Sequence, residues 1–235
     1  MSTTVSSASV ELSRRLADEV SAAATDGERF TSAQRTAALN AAVKQVVLYI
    51  MGAANTRRSA YQLLGDLVFR DAQSIGANGL ALSSLTYQAA GGGVLDVECD
   101  INGAKVFGVE RAPEDLQHAS NPHFQGNDGR PIYYVRGVTL FLEVSLGSYP
   151  VTSYVHYVAH PKELHLTTDD STYTNALQTS PSLDEVIYSA AIVAAQQMSD
   201  DYDKVNVVNE SVKALLGGII SHEFGKSNKR RKGDA

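Results

Sequence analysis

The sequence predicts an α+β protein in which N- and C-terminal helical hairpins form a four-helix bundle with an inserted small antiparallel β domain. Two observations lead to this prediction. Capped stretches with helical apolar spacing lie near both ends, and β-type runs separated by turn residues fill the middle. Residues 1–70 and 180–224 are assigned to the bundle, residues 71–179 to the β domain with its long loops, and residues 225–235 to a basic C-terminal tail.

The N-terminal hairpin is predicted from two stretches, Ser7–Ala24 and Thr31–Met51. In the first, leucine and valine recur every four residues, and Thr25-Asp26-Gly27 then provides a turn. In the second, Thr31 and Gln34 have the spacing of a capping box, and five alanines favour a helix. Its apolar face contains Leu39, Val43, Val46, Val47 and Ile50.

The C-terminal hairpin is predicted in the same way. Ser182 and Glu185 have capping-box spacing, and an amphipathic pattern follows over Leu183–Met198. A last helix is predicted over Val205–Ser221. Because neither hairpin alone can cover its apolar face, we expect the two hairpins to pack together.

The middle of the chain contains turn and strand patterns. Asn102-Gly103 lies between two β-type runs, Asp96–Ile101 and Ala104–Val109, which is a strong signal for a hairpin. Ser74–Gly93 is predicted to be mostly loop with a weak strand, and Pro161–Thr179 is predicted to be a polar, threonine-rich loop. Further predicted strands are Ile132–Val135 and Val138–Val144, joined through Arg136-Gly137, and Val151–Ala159.

Thr56–Arg70 is ambiguous, because its apolar residues fit a helical face while Leu67-Val68-Phe69 could begin a strand. The single cysteine, Cys99, allows no intrachain disulfide and is expected to be buried. The sequence contains no apolar run long enough to span a membrane, and its first residues lack a signal-peptide core. We therefore expect the protein to be made and assembled in a reducing cytoplasm.

Charge is distributed unevenly along the chain. From Lys226 onward there are five basic residues and one acidic residue, a balance of +4, whereas the whole chain carries −6. Residues 1–225 therefore carry −10. A basic tail on an acidic body fits either contact with nucleic acid or docking on an acidic partner, and a solvated end is the alternative.

No pattern in the sequence argues for catalysis, and we predict no enzymatic activity and no cofactor. His156, His160 and His165, together with Asp169 and Asp170, superficially resemble a metal cluster. The first two histidines are predicted to lie on a strand that breaks at Pro161, which does not make them converge on a metal, so we predict no metal site.

Tyrosine is abundant, with eleven residues, and the chain has no tryptophan. Several tyrosines fall in the predicted strands, and this residue is favoured at interfaces because it joins apolar area to a polar tip. Ordinary strand packing is the alternative explanation. The tyrosines predicted to lie at an interface with another subunit or protein are Tyr133, Tyr134, Tyr154 and Tyr157.

The order of these patterns resembles that of the head-to-tail connector (portal adaptor) proteins of tailed bacteriophages. Val10–Ile50 resembles the opening hairpin of that family. Pro131–Leu142 followed by Tyr154–Pro161 resembles its middle region, and Leu183–Met198 followed by Val205–Leu216 resembles its closing pair of helices. His160 departs from the basic residue often found before that proline, and Ser74–Gly93 is unusually rich in glycine.

The resemblance implies a structural virion protein at the head–tail interface, assembled in the host bacterial cytoplasm. It would form a homo-oligomeric ring of about twelve subunits, bind the portal protein and a tail or nozzle protein, and extend the channel through which double-stranded DNA passes. The alternative function is a nucleic-acid-binding module that uses the basic tail. The residues that the resemblance suggests for portal docking are Phe224, Lys226, Lys229, Arg230, Arg231 and Lys232.

Overall fold

The computed structural model describes residues 3–20, 30–53, 62–112, 125–169 and 172–198, together with Ala214 and Gly218. The chain divides into two compact units. The helical unit comprises the described residues of Met1–Asp66 and Pro161–Ala235, and the β unit comprises those of Leu67–His160.

The helical unit contains α1 (Val5–Val20), α2 (Ser32–Ala53) and α3 (Asp184–Met198). Helix α2 makes its most extensive helix contact with α3, and α1 packs on both. The predicted capping box of α2 is confirmed: the Thr31 amide donates to the Gln34 side-chain oxygen at 2.8 Å, and the Gln34 amide donates to the Thr31 hydroxyl at 3.3 Å.

Helix α3 begins differently from the prediction. A 3-10 turn, Pro181–Leu183, leads into it, and the Ser180 hydroxyl accepts a hydrogen bond from the Ser182 amide. The cap therefore lies two residues before Ser182. The Glu185 carboxylate instead pairs with Arg15 of α1, at 2.6 Å and 2.8 Å, and so links the two helices.

Two short strands, β9 (Glu163–Leu164) and β10 (Tyr173–Thr174), pair in parallel in the helical unit. Asn40 of α2 anchors β9, because its side-chain oxygen accepts from the Leu164 amide at 2.7 Å. The stretch Pro161–Thr179, predicted to be loop, therefore contains ordered strand pairing, and that prediction was wrong there. Short strands with polar sequences give no clear periodicity from which to predict them.

The β unit contains two four-stranded sheets. The first has the order β1-β8-β3-β4, with all neighbours antiparallel. The second has the order β2-β7-β6-β5, in which β5 and β6 run parallel. The strands are β1 (Val68–Ile75), β2 (Leu80–Ala81), β3 (Ala89–Ile101), β4 (Ala104–Phe107), β5 (Val109–Glu110), β6 (Ile132–Arg136), β7 (Thr139–Glu143) and β8 (Val151–Ala159).

Both predicted β hairpins are confirmed. Asn102 and Gly103 connect β3 to β4 with φ values of 54° and 80°, the left-handed conformation that this dipeptide tolerates. The hairpin β6–β7 turns at Gly137-Val138, one residue later than predicted, and Gly137 has φ 61°. The strand predicted over Val151–Ala159 is β8 with the same bounds.

The two sheets share one hydrophobic core, to which strands β1, β3, β6, β7 and β8 all contribute. Because side chains alternate between the two faces of a strand, every second residue can point into this core, as Val151, Val155 and Tyr157 of β8 do. Cys99 is fully buried in this core, as predicted, and burial raises the pKa of its thiol.

The predicted fold class was wrong. The described residues form mostly antiparallel and mixed β sheets with three helices, and they do not show two hairpins in a four-helix bundle. Within the described part, the buried faces of α1, α2 and α3 pack on one another. Apart from Ala214 and Gly218, the helix predicted over Val205–Ser221 lies outside the described residues.

The glycine-rich stretch Ser74–Gly93 contains more strand than the sequence predicted. Strand β1 extends to Ile75, and β3 already begins at Ala89. The register between β3 and β8 shifts twice between Ala89 and Asp96, so Gly91–Gly93 lies where the strand is irregular rather than absent. The ambiguous stretch before β1 contains a 3-10 turn, Gly65–Leu67, while residues 56–61 lie outside the described part.

Candidate interaction surface on the first sheet

The first sheet has one apolar face toward the core and one polar face, which we call the charged face. Strand alternation places Thr152, Tyr154 and His156 of β8 on it. The strand registers align each of these with residues of the neighbouring strands. The resulting rows across the charged face are Arg70–His156–Asp96, Ala72–Tyr154–Glu98–Phe107 and Ser74–Thr152–Asp100–Lys105.

Glu98 lies at the centre of the charged face and is only 8% exposed. Its carboxylate is 3.1 Å from the Arg70 guanidinium and 3.3 Å from the Lys105 ammonium. Burial acts to raise the pKa of Glu98, but hydrogen bonds from the two cations outweigh it, and the pKa is lower than usual. Glu98 is therefore ionised at neutral pH and holds both cations.

Tyr154 lies beside Glu98 and contacts the same two cations. The Arg70 guanidinium carbon is 3.6 Å from the centroid of the Tyr154 ring, and the Lys105 ammonium is 5.4 Å from it. Both distances fall within the range of cation–π attraction. Arg70 is on β1 and Lys105 is on β4, the two outermost strands of this sheet, so both side chains turn inward across the face.

His156 is the third basic group near Glu98, with its Nε2 atom 3.9 Å from the carboxylate. Burial lowers the pKa of His156, and the charge of Arg70 lowers it further, while Asp96 and Glu98 act in the opposite direction. The net shift is downward, so the imidazole is neutral at pH 7. At neutral pH the positive charge beside Glu98 therefore comes from Arg70 and Lys105.

The structure separates the four tyrosines predicted to lie at an interface. Tyr133 and Tyr157 are fully buried in the core, where the Tyr133 hydroxyl donates to the Leu95 carbonyl at 3.0 Å. Tyr134 lies on the second sheet, stacked on Phe141 with ring centroids 5.2 Å apart. Only Tyr154 belongs to the charged face. The side chains of Tyr133 and Tyr157 pack inside the unit, which matches the alternative of ordinary strand packing.

The predicted portal-docking residues cannot be placed. Phe224, Lys226, Lys229, Arg230, Arg231 and Lys232 all lie outside the described residues.

Sequence reasoning missed three members of the charged face, namely Arg70, Glu98 and Lys105. One signal could have found the central member. Asp96, Glu98 and Asp100 are acidic at every second position, which is the pattern of a polar face on a half-buried strand. Arg70 could not be found in the same way, because it reaches Glu98 through strand pairings that are long-range in sequence. Lys105, in contrast, lies across the predicted Asn102-Gly103 hairpin from Asp100, next to Glu98.

The histidines once considered as a cluster lie in different places. His156 and His160 belong to the β unit, while His165 belongs to the helical unit, where its Nδ1 atom accepts from the Thr168 amide at 3.2 Å. Within the ranges described above, no group of three or more His, Cys, Asp or Glu side chains is arranged to hold a metal ion. In the same ranges, no helix combines the length and the hydropathy needed to cross a membrane.

Neither a protein-family model nor a curated protein matches the sequence of this chain.

Proposed function

We propose that this chain is a structural virion protein, the subunit of a ring-forming adaptor that joins the portal vertex of a bacteriophage capsid to its tail. Its partners would be further copies of itself, in a ring of about twelve, the portal protein, and a tail or nozzle protein. The ring would extend the DNA channel without contacting a specific sequence, and it would not act as an enzyme.

The charged face of the first sheet is the observation that supports this proposal most directly. It carries a central tyrosine, a carboxylate that is 8% exposed, and two cations paired with that carboxylate. Tyr154 and Arg70 are of residue types enriched at protein interfaces, and the face of a sheet offers area rather than a cleft. The resemblance of the sequence to head-to-tail connectors points to the same kind of role.

Charge supplies a second line of support. Residues 1–225 carry −10, and the only strongly basic segment is the C-terminal tail. An acidic channel wall would repel the phosphates of a passing duplex and so weaken its adhesion, while a basic tail could dock on an acidic partner.

The proposal is tested by sedimentation velocity and negative-stain electron microscopy of the full-length protein, alone and mixed with the portal protein encoded by the same genome. We expect rings with a central opening, at the latest when the portal is present. Removal of residues 225–235 should abolish portal docking. A protein that stays monomeric with the portal present would refute the proposal. DNA retention that falls with salt and disappears with the tail would favour the nucleic-acid-binding alternative.

A further inference from the structure

The first sheet has two outermost strands, and their directions are complementary. Among the described residues, β1 pairs with β8 alone and β4 pairs with β3 alone. Because all neighbours in this four-stranded sheet are antiparallel, β1 and β4 run in opposite directions. If a second copy is placed beside the first in the same orientation, its β1 therefore runs antiparallel to β4 of the first copy.

We propose that copies of this chain associate head to tail by pairing β4 of one copy with β1 of the next, so that the first sheet continues from subunit to subunit. This inference rests on the proposed ring and names the contact that would build it. The two surfaces differ, which makes the interface heterologous. Such contacts close into a ring when the rotation between copies permits it and extend into a filament otherwise.

The side chains along the two edges fit this pairing. Continuing the central row of the charged face places Phe107 of one copy opposite Ala72 of the next. Phe107 is 60% exposed in the single chain and is the most exposed aromatic side chain among the described residues. Ala72 is small and exposed, so it leaves room for the aromatic side chain of Phe107. The neighbouring row places Lys105 opposite Ser74, with no like charges directly facing.

Among the described residues, β1 lacks some of the usual protections against edge pairing. Edge strands are commonly protected by prolines, by bulges, by being very short, or by charged side chains on the edge or pointing inward. Strand β1 has eight residues and contains neither proline nor glycine. The cation on each outer strand, Arg70 on β1 and Lys105 on β4, is paired with Glu98 and lies over Tyr154. Strand β4 has only four residues, so the contact is short, and within the described part of the chain Phe107 and Ala72 stay exposed for it.

A cross-linking experiment tests the register directly. In the double variant Ala72→Cys/Phe107→Cys, the two new cysteines would lie directly opposite each other across the interface. Their Cα atoms would be about 4.5–5.5 Å apart, a distance that a disulfide can bridge. Mild oxidation should yield a ladder of covalent oligomers. The matched control is Gln73→Cys/Phe107→Cys, in which the first thiol lies on the opposite face of β1 and should give no ladder.

A charge-pair experiment tests the energetics without a disulfide. Ala72→Glu places a carboxylate against Phe107 of the neighbouring copy, and Phe107→Lys places an ammonium beside Arg70 of that copy. Each single variant should weaken self-association about tenfold or more, as measured by sedimentation equilibrium. The double variant Ala72→Glu/Phe107→Lys should recover most of this loss, because the two new charges attract each other. Both positions are exposed, and circular dichroism would verify that the variants fold.

The outcomes separate this inference from the proposed function. Rings that form without the specific cross-link, and that tolerate both single substitutions, would overturn the sheet contact and leave the adaptor proposal standing. Cross-linked filaments that never close would support the sheet contact and count against the ring. A full-length chain that remains monomeric at every concentration, with and without the portal protein, would overturn both.

Discussion

Tyr157 offers a sharp test of how the β unit is held together. Its ring is fully buried in the core, and its hydroxyl donates to the Asp71 carboxylate at 3.0 Å. The same hydroxyl accepts from the Tyr87 amide at 3.1 Å. Substitution of Tyr157 by phenylalanine keeps the ring and removes both hydrogen bonds. We expect the free energy of unfolding at neutral pH to fall by about 1–2 kcal/mol, the cost of leaving such groups without their partner.

The pH dependence of the free energy of unfolding gives a second measurable effect of Tyr157. Burial raises the pKa of Tyr157 to about 12, from an ordinary value of 10.0. Because the folded pKa lies above the unfolded one, the protonated hydroxyl stabilises the fold fully below pH 10, and this stabilisation is lost as the pH rises toward 12. At pH 11 the loss from this group is about 1.4 kcal/mol, since one pKa unit corresponds to about that energy.

Tyr157→Phe cannot lose this contribution, so the stability difference between wild type and variant should shrink by about 1.4 kcal/mol between pH 8 and pH 11. Urea unfolding followed by circular dichroism measures both quantities. Tyr154→Phe is the matched control, because it removes a hydroxyl from a partly exposed tyrosine of the same strand. A variant as stable as wild type at pH 8, or a difference that stays constant up to pH 11, would refute the reasoning.

Two further predictions concern a close backbone approach and a partly exposed acidic group. A β-carbon on Gly126 would lie 2.2 Å from the Glu143 carbonyl oxygen, so Gly126→Ala should lower the stability of the β unit by about 1–3 kcal/mol in thermal unfolding, whereas Gly147→Ala, with open space around it, should change little. Hydrogen bonds from Arg14 and Arg15 lower the pKa of Glu11 to about 2. Stability from Glu11 is therefore present above pH 4.5 and is lost as the pH falls toward 2, and Glu11→Gln should show a shallower acid loss in urea unfolding. Equal acid slopes for wild type and Glu11→Gln would contradict this assignment.

Local features of the fold were predictable because their chemistry is local. Thr31 and Gln34 form the expected capping box, and Asn102-Gly103 forms the expected turn. The strand β8 was predicted with its bounds because its residue types alternate between two faces, and its burial follows this alternation from Val151 to Tyr157. In each case a few adjacent residues determine the backbone conformation, so their identity is sufficient evidence.

The fold class was not predictable in the same way, because it depends on pairings between distant segments. Strand β1 finds its partner β8 more than seventy residues away, and two short parallel pairs give almost no periodic signal. Strong helical patterns such as that of α2 therefore outweighed weak strand patterns. The glycines of β3 led to a wrong prediction for a related reason. Their abundance favoured a loop, whereas in the structure they accompany a shift of register within a strand.

The same difference between local and long-range determinants explains which predicted interface tyrosines lie on the charged face. Clustering of tyrosines in the sequence did not identify a surface, because position parity within each strand decides which side chain faces the core. Tyr157 and Tyr154 are three positions apart on β8, an odd number, and they therefore lie on opposite faces. Only the second meets Arg70, Glu98 and Lys105, which come from three other strands. Which side chains share a surface on a sheet therefore depends first on how the strands are aligned and only then on which residue types are abundant. The same alignment places Phe107 and Ala72 at the two ends of one row.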